Sequence, residues 1–215
     1  MGLLGKIFGG QKDAQGIATD VAMLIAQESF HKFREPEFRK QLNFSNLDQE
    51  EQDRIFNELV ITGLCLVYLT LERGELENAH EKSRETFRQI KNQLAGGYAR
   101  TLAEGGVEKE FTDLWYQLIA MRCEEYRQDF KEHRDLFDDP WVNYWIHVCA
   151  IGGSDHICRG KGEQVEKLLP DLTRWCGKIY IESMRSLAGQ LHATLSEGGK
   201  SVKVDVKDDG SLDVK

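Results

Sequence analysis

Apolar residues recur at steps of three and four along most of the chain, which is the spacing of a helix face. Turn and breaker residues divide this pattern into separate stretches. The stretches cover about residues 16–33, 45–73, 75–94, 107–137, 140–151 and 163–195. The pattern therefore predicts a mainly α fold, a multi-helix bundle of about six helices.

Five glycine pairs punctuate these stretches. Glycine enters the left-handed conformation without steric cost and commonly follows the last residue of a helix. We therefore interpret each pair as a helix stop. The pairs are Gly9-Gly10, Gly96-Gly97, Gly105-Gly106, Gly152-Gly153 and Gly198-Gly199.

Two helix starts also have local signals. Ser45 precedes an acidic run that begins at Asp48, which suits an N-cap and the positive end of a helix dipole. Asp139-Pro140 combines a capping residue with the residue preferred at the first helical position.

The longest nearly apolar run, Leu59–Leu71, contains thirteen residues. A membrane-spanning helix needs about 20 apolar residues, so this run is too short on its own. We interpret it as the central core helix of the bundle and expect no transmembrane segment.

The end of the chain changes to a strict alternation of apolar and polar residues, which is typical of a strand. Val204 and Val206 precede the turn sequence, and Leu212 and Val214 follow it. A loop at residues 208–210 would pair Val206 with Leu212 and Val204 with Val214, with all four on one face. The alternation predicts a short C-terminal β-hairpin, although a disordered tail is the alternative.

The chain is thus divided into three parts. We expect residues 1–15 to be a flexible amphipathic N-terminal segment, residues 16–199 to form one helical domain, and residues 200–215 to form the hairpin tail. A length of 215 residues suits a single domain with a small appendage.

Charge argues against nucleic acid as a partner. The formal net charge is -8, whereas binding to a phosphate backbone requires a concentrated basic surface. Arg84, Arg88 and Lys91 make one small basic stripe, but glutamates surround them in sequence. We interpret the stripe as a solvated face with ion pairs.

The five cysteines are widely spaced and include no CxxC pair. This pattern and the missing secretory signal favour a reducing, cytoplasmic location. His147, Cys149, His156, Cys158 and Cys176 contain the residue types that bind zinc, but not at ordinary zinc spacing. We expect them to be core thiols and partly buried histidines.

Two Glu-x-x-His pairs are the strongest candidates for a metal site. Glu28 and His31 lie on the predicted buried stripe of the first helix, which also contains Ile17, Val21 and Leu24. Glu77 and His80 lie on the third predicted helix, with His80 beside its buried stripe. Di-iron bundles use two such pairs and one further glutamate from each of two other helices, here Glu58 and Glu125. The hypothetical cofactor is iron or another divalent metal. A chain rich in glutamate also contains such pairs by chance, so no cofactor is the first expectation.

A small-ligand pocket is a further alternative. It would be lined by aromatic side chains, with Arg122 or Arg174 as the charged group. Aromatic residues at helical spacing are more often simple core. The candidates are Trp115, Tyr116, Trp141, Tyr144, Trp145, Trp175 and Tyr180.

The first residues combine Leu3, Leu4, Ile7 and Phe8 with Lys6. Such a segment can lie weakly on a membrane surface or in a groove of a partner. Lysine at position six does not meet the myristoylation pattern.

No nucleotide-binding loop or serine nucleophile elbow occurs in the sequence. We therefore expect a non-enzymatic helical interaction or regulatory protein, with its partner unknown. Self-association through the C-terminal hairpin, as a homodimer, is the expected mode. A metal-binding bundle and a small-ligand-binding bundle remain the alternatives.

Overall fold

The computed structural model describes residues 13–77, 81–133, 144–196, 204–206 and 212–214 of the chain. Within these ranges the protein is mainly helical, as the periodicity predicts. The α-helices are α1 (Ala14–Arg34), α2 (Pro36–Gln41), α3 (Gln49–Glu77), α4 (Glu81–Glu104), α5 (Lys109–His133), α6 (Tyr144–Cys158) and α7 (Gly162–Ser196). Seven helices in the described ranges exceed the six predicted, because the turn after α1 forms the short α2.

α3 is the centre of the bundle. It packs against α1, α4, α5, α6 and α7, and these five helices contact one another in the ring order α1, α4, α5, α6, α7 and back to α1. Of the run Leu59–Leu71, all residues are buried except Tyr68 and Thr70, which are half-buried. A helix that is apolar on every side needs partners on every side, so the prediction of a central core helix is confirmed.

The same apolarity gives α3 some likeness to a membrane span. Among the described residues, Gln49–Leu76 is the one stretch long and apolar enough to cross a membrane, judged by length and composition. Its most apolar window is 72% buried inside the protein. A buried core helix passes this test as readily as a span does, so the finding is weak evidence for a membrane.

Aspartates cap the two N-terminal long helices. The Asp13 carboxylate accepts a hydrogen bond from the backbone N–H of Gly16, and that of Asp48 accepts one from Glu51, each at 2.8 Å. Asp48 therefore takes the capping role that the sequence suggested for Ser45, which lies in a 3₁₀ turn at Phe44–Asn46. Each cap satisfies a backbone donor that has no partner within the helix.

Three of the five glycine pairs lie in the described ranges, and only one of them ends a helix. Gly105-Gly106 follows α4, and Gly106 has the left-handed φ of 89°. Gly96-Gly97 lies inside α4 and Gly152-Gly153 lies inside α6, so the prediction of a helix stop is wrong at both. α4 consequently continues to Glu104, whereas the predicted stretch ends at residue 94.

The internal pairs allow helices to approach closely. A Cβ atom added to Gly97 would lie 2.9 Å from the backbone Cα of Thr19 on α1. One added to Gly152 would lie 2.2 Å from the ring of Tyr126 on α5. Both distances are too short for real contacts. Glycine is therefore required there because a side chain would not fit, and not because the chain turns.

Two short strands, β1 (Val204–Val206) and β2 (Leu212–Val214), pair in antiparallel register. Val206 pairs with Leu212 and Val204 pairs with Val214. β1 contacts α7. The predicted loop at 208–210, the N-terminal segment before residue 13 and the Asp139-Pro140 helix start lie outside the described residues.

Candidate functional site

The first Glu-x-x-His pair does not face the core, contrary to the sequence-based expectation. The His31 side chain is 69% exposed, and Glu28 binds Lys178 of α7. α1 instead buries Ser29 and Lys32 at this level. The buried face includes Ile17 and Val21, as predicted, but it then continues one position after the predicted stripe, through Ile25, Ser29 and Lys32.

Lys32 is a charged residue of α1 that is buried in the core. Its side chain is only 4% exposed, and its Nζ donates to the carboxylate of Glu35 at 2.7 Å. Asp171 of α7 also lies 2.6 Å from this nitrogen. Two carboxylates therefore compensate one buried ammonium and tie α1 to α7.

The second pair falls at the edge of the described chain. Glu77 is the last residue of α3, and its side chain and the whole of His80 lie outside the described residues. Within the described ranges, no group of three or more His, Cys, Asp or Glu side chains could hold a metal ion. The set Glu28, His31, Glu77 and His80 therefore stays a prediction.

The two glutamates suggested as additional metal ligands have another role. Arg122 of α5 donates to Glu58 of α3 at 3.0 Å and to Glu125 of α5 at 3.1 Å. The Nε2 atom of His156 on α6 lies 2.9 Å from Glu125, although the two groups are not aligned as a hydrogen bond. The guanidinium between the carboxylates would repel a metal cation.

This ion-pair network is partly shielded from water. The side chains of Glu58 and Arg122 are 12% and 15% exposed. One oxygen of Glu58, Oε2, has no hydrogen-bond partner among the described residues. Removing the arginine would leave a nearly buried carboxylate without compensation, which is the costly way to break such a pair.

A second arginine extends this ion-pair network to the C-terminal end of α6. Arg54 donates to the backbone carbonyls of His156 and Ile157, each at 2.8 Å. It also binds Glu51, and its hydrogen bonds, followed by those of Arg159, lower the pKa of Glu51 from 4.5 to about 2. A cation at the C-terminus of a helix satisfies the last carbonyls and favours the helix dipole. The network thus joins α3, α5 and α6, so its role is to hold these three helices together.

The cysteines behave as core residues. All five are free and buried. Burial raises the pKa of the Cys65 and Cys149 thiols well above their ordinary value, and that of Cys158 to about 11. Thiols held in the neutral form are poor nucleophiles and poor metal ligands. The expectation of core thiols is therefore confirmed for Cys149, Cys158 and Cys176, and Cys65 and Cys123 are buried as well.

The aromatic residues considered for a ligand pocket are distributed through the core. Trp115 packs edge-on against Tyr98 of α4 at 4.8 Å, and Trp145 lies 5.2 Å from Phe130. Trp175 donates to the backbone carbonyl of Glu28 at 3.4 Å. Tyr144 stacks on Phe130, and Tyr180 is buried. Tyr116 and Arg174 are exposed, and Trp141 lies outside the described residues. Tyr144 and Trp145 share Phe130 as a partner, whereas Trp115 and Trp175 pack between other helices. The described members of the set therefore do not converge on one site.

The basic stripe on α4 is paired, as the sequence predicts. Arg88 and Lys91 both bind Glu75 at 2.7 Å. Arg84 binds Glu81 on the same helix. These pairs neutralise the stripe and leave little of it for an anionic partner.

One surface of α5 is apolar and solvent-facing. We call it the α5 flank, and it consists of Phe111, Leu114 and Met121, with the partly buried Leu118 between them. Their spacing of four and three residues places them on one side. The side chains of Phe111, Leu114 and Met121 are about half exposed, at 55%, 48% and 52%. Sequence reasoning did not identify this surface.

The flank is uncovered because α6 reaches only the other end of α5. Contacts between the two helices involve Glu125, Tyr126 and Phe130 of α5. α6 then ends at Cys158 and the chain turns into α7 through Arg159 and Gly160, both with left-handed φ. Among the described residues, the N-terminal half of α5 is therefore without a helix on this side. A sequence signal was present, since α5 has apolar residues on two sides.

Comparison with known proteins adds no assignment. No family model matches the chain, and neither a curated protein nor a solved structure matches it.

Proposed function

We propose that this chain is a non-enzymatic helical interaction or regulatory protein that binds a protein partner through the α5 flank. The observation that carries the proposal is the row of half-exposed apolar side chains at Phe111, Leu114 and Met121. Exposed apolar patches of this kind lower solubility, so a stable protein keeps them chiefly where they bind. Burial of such side chains is the main source of affinity in helix-mediated contacts.

The C-terminal tail is a second contact element in this proposal. We infer that residues 200–215 form a β-hairpin that engages a protein partner or a second copy, and the pairing of β1 with β2 supports this inference. A two-stranded hairpin is marginal in water and gains stability by docking. Deletion of Ser201–Lys215 should change the oligomeric state or the set of bound partners. An unchanged mass together with an unchanged partner set would count against it.

A reducing, cytoplasmic location fits the proposal. The Sγ atoms of Cys65 and Cys123 lie 3.1 Å apart, and both residues are free thiols. A reducing compartment keeps such neighbouring thiols unbonded.

The test of the proposal is a comparison of bound proteins. The chain and its Leu114→Glu variant would be expressed with a small tag in the source cells, together with an untagged copy. Bound proteins would then be quantified by mass spectrometry. We expect at least one partner, which can be the untagged copy, to be lost from the variant about tenfold or more, because a charge placed in an apolar contact is desolvated without a partner.

Ile181→Glu is the matched control. Ile181 is exposed to a similar extent, at 45%, but lies on α7. If the Leu114→Glu and Ile181→Glu variants retain the same proteins as the unchanged chain, the α5 flank is not an interaction surface and the proposal is wrong.

A further inference from the structure

We propose that the α5 flank binds the N-terminal segment, residues 1–12, of a second copy of this chain. This inference rests on the proposed function and names the occupant of the same surface.

The surroundings of the flank are acidic at the Phe111 end. Glu108 and Glu110 adjoin Phe111 there, with Lys109 between them. Glu124 and Glu125 follow Met121 at the other end, where they pair with Arg127 and Arg122. Leu114–Met121, between these ends, contains no charged residue. The surface is therefore an apolar strip whose Phe111 end carries a net negative charge, which suits a partner that is apolar and positively charged.

Residues 1–12 have that composition. Leu3, Leu4, Ile7 and Phe8 supply two pairs of apolar side chains four residues apart, the spacing of one helix face. Lys6 and Lys12 are the only charged residues of the segment. An amphipathic segment that lays its apolar side into a groove is a common mode of recognition.

A second α5 flank would be a poorer occupant. Two copies of α5 packed in parallel would bring Glu108 and Glu110 of one copy near those of the other, and like charges across a contact oppose binding. The N-terminal segment brings opposite charge instead.

The order of helices around α3 favours a second copy over the same chain. Residues 1–12 lead into α1, whose neighbours in the ring are α4 and α7. The α5 flank lies on the side of α5 toward α6, across the central helix from α1. As a helix, twelve residues span only about 18 Å, so a helical segment would be too short to pass around the bundle and cover the flank. Reciprocal exchange between two copies gives a closed dimer with two identical contacts.

Native mass spectrometry of the untagged full-length chain, over a concentration series, is the experiment. We expect a dimer for the full-length chain. Deletion of residues 1–12 and the substitution Phe111→Glu should each weaken the dimer about tenfold or more, because each removes one half of the same apolar contact. A synthetic peptide of residues 1–12 should compete with the full-length dimer.

Two further variants test recognition by charge. Lys6→Glu should weaken the dimer, and addition of Glu110→Lys to the same chain should restore part of the loss, because an attractive pair is then formed again. Ile181→Glu is the control and should leave the dimer unchanged.

The outcomes separate this inference from the proposed function. A monomeric full-length chain, or a dimer that survives deletion of residues 1–12, overturns the inference. The inference is also overturned if the dimer is lost on deletion of Ser201–Lys215 but is kept in the Phe111→Glu variant. That result would assign self-association to the C-terminal tail. In each of these cases the proposed function still stands if Leu114→Glu removes a different bound protein, and it falls with the inference if no partner is lost.

Discussion

The inner face of α5 packs against the central helix, whereas the α5 flank on the same helix meets solvent. The inner face consists of Thr112, Trp115, Ile119, Cys123 and Tyr126, all of them buried. Its side chains meet neighbours on α3, α4 and α6, among them Cys65, Tyr98 and Gly152. The flank has the same helical spacing and comparable apolarity but lacks such neighbours within the described residues. The comparison teaches that apolar periodicity reports what a surface can bury, and that burial itself depends on which helices arrive beside it.

The largest expected effect concerns the close packing of the inner face. Gly152→Ala should lower the free energy of unfolding by about 2–3 kcal/mol, because the new Cβ would overlap the fully buried ring of Tyr126. Equilibrium unfolding in urea, followed by circular dichroism, would measure it.

Gly189→Ala is the control for helix propensity. Gly189 lies on the exposed side of α7, and a Cβ there would meet no atom within 4 Å. The substitution should stabilise the protein by about 0.5–1 kcal/mol. If Gly152→Ala stabilised the protein to the same extent, that result would contradict the tight contact between Gly152 of α6 and Tyr126 of α5.

An intermediate effect is expected at the border between the two surfaces. Arg122→Met should cost about 2 kcal/mol, since the carboxylate of Glu58 loses its compensating charge. The double variant Arg122→Met with Glu58→Met should recover most of that loss. The nearly buried carboxylate is then absent, and Glu125, which also loses Arg122, is 39% exposed to water. A double variant as unstable as Arg122→Met alone would show that packing, and not charge, accounts for the cost.

The smallest effect is expected on the flank itself. Leu114→Ala should change the free energy of unfolding by less than about 0.5 kcal/mol, whereas the reference substitution Ile119→Ala on the inner face should cost about 2 kcal/mol. Both variants would be unfolded at concentrations where native mass spectrometry finds only monomer, because dimerisation adds to apparent stability. Similar losses in the two variants would mean that the flank is covered in the monomer.

Helix formation was largely predictable from local sequence. The mainly helical fold and the central position of Leu59–Leu71 follow from periodicity and from apolarity on all sides. The ion pairs around Glu75 and Lys91 on α3 and α4 agree with the interpretation of that face as solvated and paired. These features depend on residues close in sequence or on the composition of one helix.

The errors have a common origin in contacts between distant residues. Gly97 and Gly152 carry the same sequence signal as Gly106, but they lie where another helix presses against the backbone or where a tyrosine ring fills the space. The phase of α1 was misjudged in its C-terminal half, where the buried face shifts by one position and contacts α7. Glu28 and His31 were therefore assigned to the wrong side.

The ion-pair network around Arg122 was the main feature that sequence reasoning missed. Glu58 and Glu125 were noticed only as possible metal ligands, and Arg122 only as a ligand-binding charge. Residues 58 and 122 are 64 positions apart, and no local pattern brings them together. One signal was available, since Glu58 and Arg122 each border an apolar run, Leu59–Leu71 and Leu118–Met121. A charge that is buried together with such a run requires a partner.

The sequence by itself determined that this protein is a helical bundle and which helix lies at its centre, because helix formation and all-round apolarity are properties of continuous segments. Tertiary structure alone decided which glycines permit close packing, which face of α1 is buried and which apolar side of α5 is left to solvent. The physical reason is that burial is a relation between two surfaces, and the second surface comes from residues far away in the chain.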